Sequence, residues 1–187
     1  MRAVRLGVTI RGVVQGVGFR PFVHGAATHR GLAGWVRNRS DGLALEVEGD
    51  GGAVRDFVDV LRDAPPPAAR VEGIEIVELP PCGADGFHIL ASTTGAAARA
   101  TLPADLALCA ACSAEIDDPG ARRHRYPFTN CTRCGPRYTI VEALPYDRPR
   151  TTMRDFAACD ACAHDYEDRT DRRFHAEPIA CPSCGPE

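Results

Sequence analysis

Val4, Leu6, Val8 and Ile10 alternate with Arg5, Gly7, Thr9 and Arg11, a period of two that predicts a half-buried strand at the start of the chain. Phe22, Val23, Ala26 and Ala27 then recur at helical spacing between Gly18 and Gly31, and the second glycine suits a C-terminal cap. Leu32 to Asn38 reads as a strand, Ser40-Asp41-Gly42 as a turn, and Leu43, Leu45 and Val47, alternating with Ala44, Glu46 and Glu48, as the hairpin partner. From about Gly52 to Ala64 a second helix carries Val54, Phe57, Val58 and Leu61 on one face, and Pro65-Pro66-Pro67 stops it. Val71 to Leu79 and Phe87 to Leu90 supply further strand material. The order βαββαβ predicts an α+β, ferredoxin-like fold, with two helices on one face of an antiparallel sheet. From 93 to 104 the apolar period gives way to Ala, Thr and Gly, a linker composition, with a poorly marked helix through Ala96 to Ala100 as its alternative. Residues 1–92 therefore form one domain and 105–187 a second region, and a linker of this kind implies that the two work apart.

Between the first strand and the first helix lies Gly12-Val13-Val14-Gln15-Gly16-Val17-Gly18-Phe19-Arg20. Pro21 suits a first helical residue, because its missing N–H would have no partner there. Arg20 precedes that proline, which disfavours the α region and places Arg20 in the loop. The amides of Gln15, Gly16, Val17, Gly18 and Phe19 can form a nest for phosphate at the helix N-terminus, with the Arg20 fork as its charge. A Walker loop is excluded because the chain has no lysine, and a cysteine phosphatase loop because Val14 stands where its nucleophile belongs. His24 and His29 are rival general bases close by in sequence. The segment resembles the acylphosphatase signature at every fixed position, and Gly34-Trp35-Val36-Arg37-Asn38 supplies that family's second mark. The resemblance implies that the loop and Arg20 hold a phosphate while the Asn38 side chain positions the attacking water.

Nine cysteines in a chain without a visible export signal or an apolar run of membrane length point to the cytoplasm and to metal rather than disulfides. Cys109-x-x-Cys112 and Cys131-x-x-Cys134 recur fifty residues later as Cys159-x-x-Cys162 and Cys181-x-x-Cys184. Arg122-Arg123 likewise recurs as Arg172-Arg173, Cys134-Gly135-Pro136 as Cys184-Gly185-Pro186, and Pro127 corresponds loosely to Pro178. This is an internal duplication of two repeats, 109–134 and 159–184. Four thiolates per repeat match a closed structural Zn²⁺ site with no position left for catalytic water. Two structural zincs are expected, although knuckles from different repeats could share a metal. His124, His164 and His175 are spare candidate ligands, and Cys82 lies outside the array. Metal removal should unfold this half, which is too poor in apolar residues to fold on its own core. Residues 105–187 hold 11 Arg against 14 Asp plus Glu, and eight thiolates with two Zn²⁺ bring the charge to about −7. A field of that sign repels nucleic acid.

An acylphosphatase signature followed by this doubled array resembles the N-terminal part of the HypF family, carbamoyltransferases of NiFe-hydrogenase maturation; Pro21 adds to the likeness, since free-standing acylphosphatases generally lack it. The resemblance implies hydrolysis of carbamoyl phosphate to carbamate and phosphate, within a protein that passes the carbamoyl group to a HypE-like partner for the cyanide ligands of the hydrogenase iron. Full-length members continue through an adenylating and a transferase domain, whereas this chain stops three residues after Cys184, as a fragment or an incomplete copy would. The same residues also admit a non-catalytic reading, in which the loop holds an anion and the zinc region docks a partner.

Overall fold

Period-two alternation is realised in β1 (Ala3–Val13), β2 (Ala33–Arg39), β3 (Gly42–Asp50), β4 (Arg70–Leu79) and the short β5 (Phe87–Ile89) of the computed structural model, which describes residues 3–95, 100–135 and 138–187. They form one sheet in the order β4-β1-β3-β2-β5, antiparallel except for β5, which runs parallel to β2. The hairpin joining β2 to β3 is tight, with Arg39 opposite Gly42 and two residues between them. At Gly12 the register of β1 against β4 shifts, and φ is 121°; a Cβ there would lie 2.0 Å from the Arg70 carbonyl oxygen, so only glycine fits.

Two helices, α1 (Phe19–Thr28) and α2 (Gly51–Asp63), cover one face. Asp50 starts α2 by accepting from the amides of Gly52 and Ala53 at 2.9 and 3.3 Å. Val54, Phe57, Val58 and Leu61 are buried as their spacing requires, against Val8 and Ile10 of β1 and Leu43, Leu45 and Val47 of β3. Burying a side chain such as Phe57 or Leu61 contributes about 1.5–3 kcal/mol, so this layer anchors the loop at the end of β1.

One expectation fails here. Arg20 lies inside α1 rather than in the loop, and Pro21 is the third helical residue rather than the first. The carbonyl that a proline ring would strike belongs to Val17, which is outside the helix. The first intrahelical bond, from the Phe22 amide to the Gly18 carbonyl, forms undisturbed at 3.1 Å.

The run after β5 stays beside β2. The Thr93 amide donates to the Asn38 carbonyl at 3.0 Å, and Gly95 and Ala100 donate to Ser40. Most of the alternative helix at Ala96 to Ala100, and the Pro136 of the repeated Cys-Gly-Pro, lie outside the described residues.

The second half has two short helices, α3 (Ala110–Asp117) and α4 (Asp160–Glu167), each beginning directly after the first cysteine of a repeat. It packs on the first half instead of standing apart from it. Gln15 accepts from the Tyr146 amide at 2.8 Å, and the His24 ring meets Phe174 edge-on at 5.4 Å.

Candidate anion site and zinc centres

The loop between β1 and α1 turns through Gly16 (φ 68°) and Gly18 (φ 74°). Among the described residues, no hydrogen bond takes up the amides of Gly16, Val17, Gly18 or Phe19. The segment is braced by the Gln15 side chain, whose Nε2 donates to the Arg39 and Gly42 carbonyls at 2.6 and 2.8 Å. The sequence had singled out Gln15 for its amide; its side chain is what ties the loop to the β2–β3 turn. Gly18 also meets the second half closely, since a Cβ there would come 3.0 Å from the Thr132 carbonyl oxygen.

Arg20 and Asn38 converge on this loop around a cavity of about 30 Å³ that Thr132, Ala176 and Glu177 wall on the far side. Both are buried, at 8% and 1% exposure. Asn38 Nδ2 donates to the Tyr146 carbonyl at 3.2 Å, and its Oδ1 has no partner among the described residues. Arg20 donates from Nη1 to Asp147 Oδ1 at 2.9 Å, and from Nη2 to Glu177 Oε1 at 2.7 Å and to the Tyr146 carbonyl at 3.3 Å. Burial works against the guanidinium charge, but Glu177 and Asp147 outweigh it and hold the Arg20 pKa above its ordinary value. Burial pushes the Glu177 carboxyl upward, while Arg20, the Arg148 amide and Tyr166 pull it back. Asp147 and Glu177 escaped the sequence reading, and the one trace of Glu177 is that its counterpart in the first repeat is Pro127.

His24 does not line the cavity. It sits between Phe87 and Phe174, and burial holds its pKa below the ordinary value. His175 lines the cavity, with Nδ1 3.1 Å from the Tyr166 hydroxyl, and burial with Arg20 nearby lowers its pKa to about 4.

The cysteines gather into Cys109, Cys112, Cys131 and Cys134, and into Cys159, Cys162, Cys181 and Cys184. Sulfurs within the first cluster lie 3.6 to 3.8 Å apart and within the second 3.7 Å apart. Four sulfurs at about 2.3 Å from a tetrahedral Zn²⁺ have edges of about 3.8 Å, so both clusters fit zinc, and each belongs to a single repeat. The histidines are not needed as ligands, and Cys82 is engaged with Glu48 instead.

The arginine pairs cross between repeats. Arg122 and Arg123 donate to Cys162 Sγ at 3.1 and 3.2 Å, and Arg172 donates to Cys112 Sγ at 2.7 Å. Arg123 Nε reaches the Ala180 carbonyl at 2.7 Å, and Arg173 Nε the Asn130 carbonyl at 3.0 Å. Arg122 and Arg123 pair with Asp165, and Arg172 and Arg173 with Glu115. Both arginine pairs are thus spent on thiolates and carboxylates.

The acylphosphatase family model matches residues 6–89, and the HypF finger model matches 108–141 and 158–187. An acylphosphatase of Acidovorax sp. is 46% identical over 80 residues, which are 42% of this chain and 81% of that protein. The chain belongs to the acylphosphatase family and carries HypF fingers. Both parts recur together in carbamoyltransferase HypF2 of Cupriavidus necator, 50% identical over 154 residues, 81% of this chain. The chain spans 19% of that relative's length. A crystal structure of full-length HypF in the phosphate- and nucleotide-bound form superposes with a TM-score of 0.96 at 41% identity, over 100% of this chain and 25% of that one. The likeness is to the N-terminal region of HypF, as the motifs implied. Zinc accordingly serves the fingers as a structural ion. Among the described residues, no helix is long and apolar enough to cross a membrane.

Proposed function

We propose that the chain hydrolyses carbamoyl phosphate to carbamate and phosphate, as the N-terminal module of a carbamoyltransferase supplying carbamoyl groups for the cyanide ligands of NiFe hydrogenase. The observation that carries this is the meeting, around one cavity, of Arg20 with loop amides and an Asn38 Oδ1 that have no partner among the described residues. The amides and Arg20 would hold the phosphate, and Asn38 Oδ1 would accept a hydrogen bond from a water and so aim its lone pair at the reacting carbon or phosphorus. An amide cannot take the proton at neutral pH, so a phosphate oxygen of the substrate receives it as the bridging bond breaks. Carbamate and phosphate then leave. The bound phosphate named for the HypF structure, the likeness of that structure to this chain and the small cavity support a small acyl phosphate as substrate.

The test is phosphate release from carbamoyl phosphate and from acetyl phosphate by this chain, with two equivalents of zinc bound. Release from carbamoyl phosphate, abolished in Arg20→Ala, is the expected result; none from either compound would end the hydrolytic reading. A second reading, an anion-holding scaffold that docks a HypE-like maturation protein, draws on the two carboxylates that already neutralise Arg20. It predicts that phosphate binds without turnover.

A further inference from the structure

We propose that Glu177, supplied by the second finger, is a positioning residue for Arg20 and completes the anion site from outside the acylphosphatase fold; this rests on the reading of the loop as a phosphate site. Glu177 Oε1 accepts from Arg20 at 2.7 Å and from the Tyr166 hydroxyl at 3.1 Å, and Oε2 accepts from the Arg148 amide at 2.9 Å. The Arg148 side chain fixes the backbone around it, donating to the carbonyls of Glu177 and Ile179 at 2.9 and 2.7 Å. The carboxylate is therefore held by two groups, the Tyr166 hydroxyl and the Arg148 amide, before it meets the guanidinium.

The duplication shows that the finger itself does not call for this residue. Fifty residues earlier, in the same place of the first repeat, stands the exposed Pro127, and that repeat gathers its four cysteines equally well. Burying a carboxylate is costly unless it is paired, and the pairing here lies in the other half of the molecule. Glu177 answers a demand made by Arg20. With Asp147 on Nη1 and Glu177 on Nη2, the plane of the guanidinium is set. Three of its five N–H donors are used by Asp147, Tyr146 and Glu177, and the other two are what an anion over the loop amides can take. Fixing a rotamer-rich side chain before binding removes an ordering cost from the ligand's affinity. The opposite possibility, that the carboxylates compete with the anion for Arg20, makes the opposite prediction.

The experiment titrates inorganic phosphate calorimetrically into the full, zinc-loaded chain and into Glu177→Gln, Glu177→Ala and the control Pro127→Ala. Zinc content is measured for each, and KM and kcat with acetyl phosphate wherever turnover is present. The expected result is phosphate binding at least about tenfold weaker in Glu177→Ala, a smaller loss in Glu177→Gln, no change in Pro127→Ala, and two zincs in all. Where there is turnover, KM should rise more than kcat falls. Unchanged or tighter phosphate binding in Glu177→Ala overturns the proposal. So does loss of the second zinc from the isosteric Glu177→Gln, which would make the residue part of the finger's own structure. Phosphate binding without hydrolysis by the unsubstituted chain defeats the hydrolytic reading and leaves this test intact. No phosphate binding by the unsubstituted chain defeats both.

Discussion

Only an amide nitrogen can face the Tyr146 carbonyl, so the Asn38 side chain has a single orientation, and its oxygen is left for a water. That assigns Asn38 and Arg20 different work. Asn38→Ala should lower kcat by about 10²-fold or more with modest change in KM, whereas Arg20→Ala should damage both, because the arginine holds the ground state as well as the transition state. His24→Ala should leave turnover standing, since that ring is clamped between Phe87 and Phe174; abolished turnover there would replace the mechanism with general-base catalysis. His175 makes a pH prediction. Its folded pKa of about 4 lies below the ordinary 6.5, so between those values the unfolded chain binds more protons and stability falls as pH drops. Denaturation midpoints measured between pH 7 and pH 5 should therefore decline, and less so in His175→Asn, a residue that tolerates the positive φ of 53°. Arg20 and Asn38 were legible because the loop chemistry is local and its spelling specific. Asp147 and Glu177 meet Arg20 from 127 and 157 residues away, and no spacing rule reaches that far.

Strands and the first two helices follow from alternation and helical spacing, because a sheet with one covered face imposes those periods on its residues. α3 and α4 carry no such stripe. The one fully buried residue of each is a zinc ligand, Cys112 or Cys162, so the metal rather than an apolar face organises these helices and hides them from a hydrophobic reading. Arg20 was misplaced because the extended preference of a residue before proline is a bias and not a bar, and at the third helical position the ring meets no intrahelical carbonyl, so α1 can begin two residues ahead of Pro21. The crossed arginines give this scale its own prediction. Arg172→Ala should weaken zinc binding at the first cluster by about 10 to 100-fold while sparing the second, and Arg122→Ala should do the reverse, as competition with a chromophoric chelator would read. Each substitution affecting its own repeat instead would contradict the observed pairing.

The linker composition suggested halves that act separately, and the contacts of Gln15, Arg20, His24 and Asn38 with residues beyond 130 correct this. Composition reports that a segment lacks a core of its own, but not whether what it joins will dock. Cys159→Ser, which on separate halves would have spared the anion site, should therefore weaken phosphate binding along with the second zinc. Chelation of both zincs should melt the finger half and reduce phosphate affinity together, followed by circular dichroism and phosphate titration on one sample. The reciprocal arginines carry one more consequence, for the history of the molecule. A single ancestral repeat would have presented an arginine pair with no thiolate to meet and a cysteine cluster with no arginine to cover it, and two identical copies related by a twofold axis satisfy both needs at once. Descent of the duplicated array from such a homodimer would accordingly predict that a synthetic peptide of residues 105–137 with zinc sediments as a dimer.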